Sequence, residues 1–232
     1  MTTMPSDHLP EGDEKRAAVR SMFDAIAPRY DMVNRLLTFR MDVGWRRKTV
    51  TRMELEASSL VLDLACGTGD FCVELASAGH RPVGIDLSFG MLDAARTDRP
   101  LLQGDLLAMP IATASSDGAV CGFALRNLVD LDPFFAELYR VVRPGGRIGL
   151  LDVSRPDNGV LRWGHGVYFN KVVPRVGGLL SDRAAYAYLP RSASYLPTGP
   201  DLILMLERAG FERVERLQLS TGIAQLLTAT RA

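Results

Sequence analysis

A glycine-dense turn directly follows an apolar run that contains an acidic residue. Residues 61–70 read VLDLACGTGD, with Asp63 in the apolar part and Gly67 and Gly69 in the turn. Glycine after a buried strand lets the backbone approach a ligand closely, and the next helix offers free N–H groups at its N-terminus. We therefore predict a ligand at this turn, against the alternative of a turn that only reverses the chain.

Two further acids and one missing glycine indicate the class of that ligand. A dinucleotide fingerprint requires a third glycine where this chain has Cys72, and Asp63 would repel a pyrophosphate. Asp86 ends the next apolar run, where a carboxylate can bind ribose hydroxyls, and Asp105 ends the one after, where it could accept from an adenine amino group. S-adenosyl-L-methionine carries a ribose, an adenine and a positively charged end, and we predict it as the cofactor.

The elements that must position these acids alternate between strands and helices. We predict strands at 60–65, 117–125 and 147–154 and in the segments RPVGIDL and PLLQGD, with helices between them and Ser88 capping one helix. Two more strands, ERVERLQLS and TGIAQLLTATRA, form a C-terminal hairpin. This repetition predicts an α/β fold with a doubly wound, mostly parallel sheet.

The chain outside the alternating region is predicted to be helical. Apolar residues recur at helical spacing from 14 to about 40, Pro28 breaks the pattern near 27–29, and Asp42 is a candidate N-cap for a third helix. Residues 1–12 are predicted to be disordered and 13–232 to form one domain, which contains a helical cap at 13–57 and a helical insertion at 156–197.

Composition limits the classes of binding partner and the cellular compartment that we expect. Lysine plus arginine and aspartate plus glutamate both number 27 in 232 residues, which argues against nucleic acid as the main partner. The three cysteines have no metal-ligand spacing and are expected to be reduced core thiols, so no metal is predicted. There is no signal peptide or membrane-spanning run, and a cytoplasmic location is expected.

Several longer stretches resemble a known family. The series LDLACGTGD, GIDLSFGML and GD resembles class I S-adenosylmethionine methyltransferases. The stretches MFDAIAPRYDMVNRLLTFRMDVGWRR, FALRNLVD and RVVRPGGRIGLLDVSRP, with weaker support from AYAYLPRS, resemble the quinone-biosynthesis C-methyltransferases from about residue 20 to 230. This resemblance implies a Rossmann-like, seven-stranded sheet with a reversed last strand, the N-terminal cap, and an insertion over the active site.

The resemblance also implies an activity and a set of cofactor contacts. The activity is C-methylation of a prenylated quinol, above all demethylmenaquinol to menaquinol. Family cofactor contacts fall on Thr68, Asp86 and the pair Asp105–Leu106, while Gly122 stands where the family has a serine, so that contact is lost or made by backbone. Asp152 replaces a family glutamate, YLPRSA replaces YLAESI, and a C-terminal histidine is missing. These departures leave open another small aromatic or natural-product acceptor.

Ring methylation requires a hydroxyl to lose its proton and the resulting charge to be stabilised. Arg126 and Asn127, just past the fourth strand, are predicted catalytic residues. Arg126 could hold the oxyanion or orient a water that takes the proton, or it could simply cap the next helix or pair with Asp130 or Asp132. Asp152 is the third predicted catalytic residue and, with Asp31, a candidate base.

Further candidate residues for the active site are His165, Tyr30 and Tyr186. His165 has a suitable pKa for a base, but packing or surface roles are expected for it. The pairs Tyr30 and Asn34, and Tyr186 and Pro190, each lie one helical turn apart, and both tyrosines could cover the active site.

Residues 158–197 mix apolar and basic side chains and could rest on a membrane surface, pack on their own core, or form a homodimer interface. A dinucleotide oxidoreductase and a non-catalytic cofactor-binding protein remain as rival functions.

Overall fold

A computed structural model describes residues 11–154 and 192–232, together with residues 159, 175 and 188. A seven-stranded sheet with the order β3-β2-β1-β4-β5-β7-β6 forms its centre. Neighbouring strands from β3 to β5 are parallel, and β7 is antiparallel to both β5 and β6. The strands are β1 Leu60–Leu64, β2 Arg81–Asp86, β3 Leu101–Gln103, β4 Ser116–Gly122, β5 Val142–Val153, β6 Phe211–Leu219 and β7 Ala224–Arg231.

Helices cover both faces of this sheet. The α-helices within the described ranges are α1 Gly12–Ile26, α2 Tyr30–Leu37, α3 Met41–Arg52, α4 Asp70–Ser77, α5 Phe89–Asp93, α6 Leu131–Val141 and α7 Gly199–Arg208. Because side chains alternate along a strand, Leu62 and Leu64 pack with α6 and α7 on one face, while Val61 packs with α3 and α4 on the other. The predicted fold class is confirmed.

The N-terminal helices follow the predicted pattern except at one cap. A 3₁₀ turn at Ala27–Arg29 separates α1 from α2 around Pro28, as predicted. Asp42 is not the N-cap of α3: that prediction is wrong, because the helix already begins at Met41. The carboxylate of Asp42 instead accepts from Thr38 Oγ1 at 2.6 Å and pairs with Arg46 Nη1 at 2.6 Å.

Other boundaries also differ from the prediction, and β4, predicted over 117–125, ends at Gly122. The helix capped by Ser88 is confirmed, since Ser88 Oγ accepts from Met91 N at 3.1 Å, but it ends at Asp93. Strand β5 starts at Val142 instead of 147, and its pairing with β4 shifts register between Ser116 and Gly118. Gly145, at φ +74°, lies in the stretch of β5 where this irregularity occurs.

Some predictions fall on residues outside the described ranges. They include the disorder of residues 1–10, most of the insertion at 156–197, and the roles of His165, Tyr186 and Pro190. The domain boundaries stay predictions. Among the described residues, no helix has both the length and the apolar character needed to cross a membrane.

Candidate active site

The carboxyl ends of the first strands open into a cleft. This is where ligands bind in open α/β sheets. The predicted site residues that line it are Asp63, Gly67, Thr68, Asp86, Asp105, Leu106, Gly122 and Asn127. Gly69, Arg126 and Asp152 are not among its lining residues, so the structure divides the predicted site into a cleft and a layer behind it.

The glycine turn is built from left-handed backbone. Gly67 has φ +55° and Gly69, which precedes α4, has φ +89°. A Cβ on Gly69 would lie 2.6 Å from Thr97 Cγ2, so glycine is needed there for packing as well as for backbone conformation. Nothing lies within 4 Å of a Cβ placed on Gly67, where backbone conformation alone favours glycine.

Two carboxylates hold this turn in place, that of Asp63 buried and that of Asp86 partly buried. Asp63 Oδ2 accepts from Cys72 N at 3.1 Å, and burial raises the pKa of Asp63 to about 7. Asp86 accepts from Gly67 N and from Ser88 N, both at 2.8 Å, and burial raises its pKa as well. Since both groups are costly to ionise in this setting, a cationic ligand in the cleft would stabilise their charged forms.

The third predicted acid lies at the other side of the cleft. Asp105 forms an ion pair of 2.6 Å with Arg16 from α1, and its Oδ1 accepts from Leu107 N at 3.0 Å. Leu106 is buried beside it and faces the cleft. Sequence reasoning missed Arg16, because nothing in the spacing of α1 indicates which strand end it meets.

Steric contact with a neighbouring ring explains the glycine at position 122. A Cβ built on Gly122 would lie 2.6 Å from Phe71 Cε2 and 3.1 Å from Cδ2, and Phe71 is itself buried. A serine side chain would therefore displace this ring. The position can offer only backbone groups to the cleft as the chain stands.

Arg126 and Asp152 form a buried ion pair behind the cleft. Arg126 Nη1 lies 2.6 Å from Asp152 Oδ1 and also donates to Phe123 O at 2.7 Å. The alternative pairing with Asp130 or Asp132 is not what the structure has, because Asp130 caps α6 by accepting from Asp132 N at 3.0 Å. Asp152 has no exposed surface and also accepts from Val153 N at 2.7 Å.

Polar atoms without partners lie close to this pair. Within the described residues, Arg126 Nε, Asn127 Oδ1 and Tyr188 Oη are buried and make no hydrogen bond. Burial raises the pKa of Tyr188 to about 12, and the nearby charge of Arg126 opposes that shift. Desolvation also raises the pKa of Tyr30, which lines the cleft, again against the charge of Arg126. Sequence reasoning missed Tyr188, although it lies within the stretch AYAYLPRS that gave weak support to the family resemblance.

The N-terminal cap contributes side chains that the spacing of motifs did not reveal. Asp31, a candidate base, accepts from Thr68 Oγ1 at 2.5 Å and lies 3.4 Å from Arg96 Nε, so it holds the glycine turn. Arg46 of α3 lines the cleft and lies 3.2 Å from Asp70 Oδ2.

Comparison with known proteins decides the family. The model of the ubiE/COQ5 methyltransferase family matches residues 11–231. The chain belongs to this family. It is 38% identical to the ubiquinone/menaquinone biosynthesis C-methyltransferase UbiE of Syntrophotalea carbinolica, covering 99% of this chain and 98% of the relative. It is 40% identical to the demethylmenaquinone methyltransferase of Deinococcus radiodurans, covering 93% and 94%.

Solved structures of lower identity share the fold of this ubiE/COQ5 chain. The methyltransferase in a complex with the Trm112 methyltransferase activator of Haloferax volcanii has a TM-score of 0.67 at 17% identity, covering 90% of this chain and 96% of that chain. A SAM-dependent methyltransferase of Thermotoga maritima has a TM-score of 0.66 at 19% identity, covering 92% and 100%.

The predicted family, enzyme class and methyl donor are confirmed, and S-adenosyl-L-methionine is the cofactor. The residues present fit this donor. The cleft combines the backbone of a glycine turn with the carboxylates of Asp63 and Asp86, whose raised pKa values favour a cationic ligand. The roles of Asp86 at the ribose and of Asp105 with Leu106 at the adenine stay predictions.

Proposed function

We propose that this enzyme methylates a ring carbon of a prenylated quinol, with demethylmenaquinol as the substrate and menaquinol as the product. The names of the relatives that match over almost the whole chain support this acceptor. The observation that carries the proposal is the group of cleft residues next to the donor site: Tyr30 and Asn127 face the cleft, and the Arg126–Asp152 pair lies behind them.

The donor supplies an electrophilic methyl group, so the protein has to make the acceptor carbon nucleophilic. The ring carbon of a quinol becomes nucleophilic when a hydroxyl group loses its proton and the negative charge spreads into the ring. Arg126 is not an ordinary base, because a guanidinium keeps its proton at neutral pH. We assign it to stabilising the phenolate charge from behind the cleft; its Nε is buried without a partner, and Asn127, the next residue along the chain, lines the cleft.

Asp152 has a different role from Arg126 in the proposed methyl transfer. Its carboxylate is fully buried and bonded to Arg126 Nη1, so it does not reach the cleft directly. It fixes the orientation of the guanidinium and balances its charge. A proton leaving the acceptor would reach Asp152 only through a water next to Arg126, which makes Asp152 a positioning residue in this proposal.

A prenylated acceptor resides in a lipid bilayer, and we propose peripheral contact with that bilayer. The segment predicted for it, 158–197, lies largely outside the described residues. Independent support comes from the face of α2 and the turn after it, where Met32, Leu36 and Phe39 are 54%, 51% and 71% exposed beside Arg35. Phe39→Ser should reduce co-sedimentation with anionic lipid vesicles without changing donor affinity. The predicted homodimer is checked by light scattering.

The acceptor is tested by incubating the purified enzyme with methyl-labelled donor and a panel of reduced demethylated quinones and phenols. Transfer to a prenylated naphthoquinol, greatly reduced in Asn127→Ala, supports the proposal. Transfer only to a different phenol, or to a benzoquinol alone, refutes the acceptor while leaving the methyltransferase class intact. Donor binding measured in parallel separates a wrong acceptor from an inactive preparation.

A further inference from the structure

The donor ends in an amino acid, and its carboxylate has to be neutralised inside a cleft that is otherwise rich in acids. Asp63, Asp70, Asp86 and Asp105 all line this cleft. Among the described lining residues, the permanently charged cations are Arg16 and Arg46. A carboxylate bound here would therefore meet one of these two guanidinium groups.

Arg16 lies at the adenine end of the cleft. Its Nη2 pairs with Asp105 Oδ2 at 2.6 Å, and its side chain is 44% exposed. Asp105 belongs to the pair predicted to hold the adenine, so Arg16 is on the side of the site away from the glycine turn and α4. It is not placed to meet the amino-acid end of the donor.

Arg46 lies at the opposite end and is rigidly held. Its side chain is 7% exposed, with Nη1 2.6 Å from Asp42 Oδ2 and Nη2 3.2 Å from Asp70 Oδ2 at the start of α4. The guanidinium carbon also lies 5.8 Å and 5.6 Å from the ring centroids of Phe71 and Phe123. Two ion pairs and two rings fix the plane of this cation before any ligand binds.

Arg46 keeps N–H groups free for another anion although its charge is already paired. Asp42 faces Arg46, and Asp70 is shared between Arg46 and Arg35, which lies 3.0 Å from Asp70 Oδ1. Two arginines and two aspartates thus balance one another. Each ion pair involves one terminal nitrogen of Arg46, and each such nitrogen carries a second N–H.

We propose that Arg46 binds the carboxylate of S-adenosyl-L-methionine and so selects a donor with an intact amino-acid end. The inference rests on the donor and is independent of the acceptor proposed above. Arg46 acts by binding and orienting the donor; it takes no part in proton transfer. An ionised acceptor oxygen is the other anion that could meet this guanidinium, and the experiment distinguishes the two.

The test measures dissociation constants by calorimetry for S-adenosyl-L-methionine and for decarboxylated S-adenosylmethionine, which lacks only the carboxylate. A charge-assisted hydrogen bond corresponds to about a 10- to 150-fold change in affinity. We expect Arg46→Gln to weaken binding of the complete donor within that range and to change binding of the decarboxylated donor less than about threefold. Arg16→Gln is the matched control and should affect both ligands by the same factor, since they share the adenine.

Two results would overturn the proposal. One is an equal loss for both ligands in Arg46→Gln. Because that variant leaves buried Asp42 without its cationic partner, the Asp42→Asn/Arg46→Gln variant, which removes both charges, is measured as well, and an equal loss there too is decisive. The other is unchanged donor affinity with a raised KM for the quinol, which would assign Arg46 to the acceptor. A selective loss of the complete donor in either variant supports the proposal.

Discussion

The buried pair Arg126–Asp152 allows a sharp test of whether stability and catalysis are separable at this site. The ions are 2.6 Å apart, and their side chains are 6% and 0% exposed. Removing one member of a buried ion pair leaves the other charge unpaired, at a typical cost of about 3–5 kcal/mol. Asp152 also accepts from Val153 N, and Arg126 donates to Phe123 O, so each side chain has a second polar partner that would be left with one bond fewer.

We therefore expect Asp152→Asn and Arg126→Met each to lower the free energy of unfolding by about 3–5 kcal/mol, measured by urea denaturation. The double variant should lose at least about 1 kcal/mol less free energy of unfolding than the two single variants added together, because the second substitution removes the charge that the first left unpaired. The double variant should nevertheless remain unable to transfer methyl groups, since the guanidinium is gone.

The exposed pair Arg143–Asp117 supplies a matched control. Its N–O distance is 2.7 Å, close to that of the buried pair, but the arginine side chain is 47% exposed. Arg143→Met should cost less than about 1 kcal/mol. Equal costs for Arg143→Met and Arg126→Met, or strict additivity at the buried pair, would refute the reasoning from burial.

Other sites give independent tests. Gly122→Ser should destabilise the fold by about 1–3 kcal/mol through displacement of the Phe71 ring, and Phe71→Leu should recover part of that loss in thermal unfolding; no recovery would refute the clash. Asp63 keeps its proton in the folded state up to a pKa of about 7 but ionises near 4 when unfolded, so wild-type stability should fall relative to Asp63→Asn between pH 4 and 7 and run parallel above it. A pH-independent difference between their urea midpoints would contradict this. Asp31→Ala removes the acceptor of the Thr68 hydroxyl and should speed amide exchange in α2, whereas unchanged exchange would show that this bond does not hold the cap.

The sheet could be predicted from the sequence because its signals are local. Apolar runs that end at Asp86 or pass into the glycine turn specify strands and their carboxyl ends without knowledge of tertiary contacts. The failures occurred where a tertiary contact overrode a local preference. Asp42 has the residue type of an N-cap, yet Arg46 and Thr38 engage its carboxylate inside the first turn of α3. The Pro-Gly-Gly segment at 144–146 is typical of a helix end, but it lies inside β5, in which Val142 and Arg147 on either side of it pair with β4.

The residues of the candidate site also fall into those with local sequence signals and those that depend on tertiary contacts. Residues at strand ends, such as Asp63, Asp86 and Asp105, were predicted because topology brings such ends together. Arg46 and Arg16 were not, because a surface helix rich in arginine gives no sign of which side chain meets which strand end. Asp152 and Arg126 were each predicted separately, but their direct pairing across 26 residues of chain depends on the register of β4 and β5.

The N-terminal cap packs directly on the donor site, since each of its three helices contacts a different segment at the carboxyl ends of the strands. Helix α1 contacts the loop after β3 through Arg16–Asp105, α2 contacts the glycine turn through Asp31, and α3 contacts the start of α4 through Arg46. These contacts involve the same loops that face the cleft, so a donor held by those loops also favours the docked cap. A ligand present at 100 times its dissociation constant stabilises the state it binds by about 2.7 kcal/mol. Because Tyr30 and Asn127, which we propose to meet the acceptor, line the same cleft, donor binding would also order the surface on which we propose that the acceptor docks.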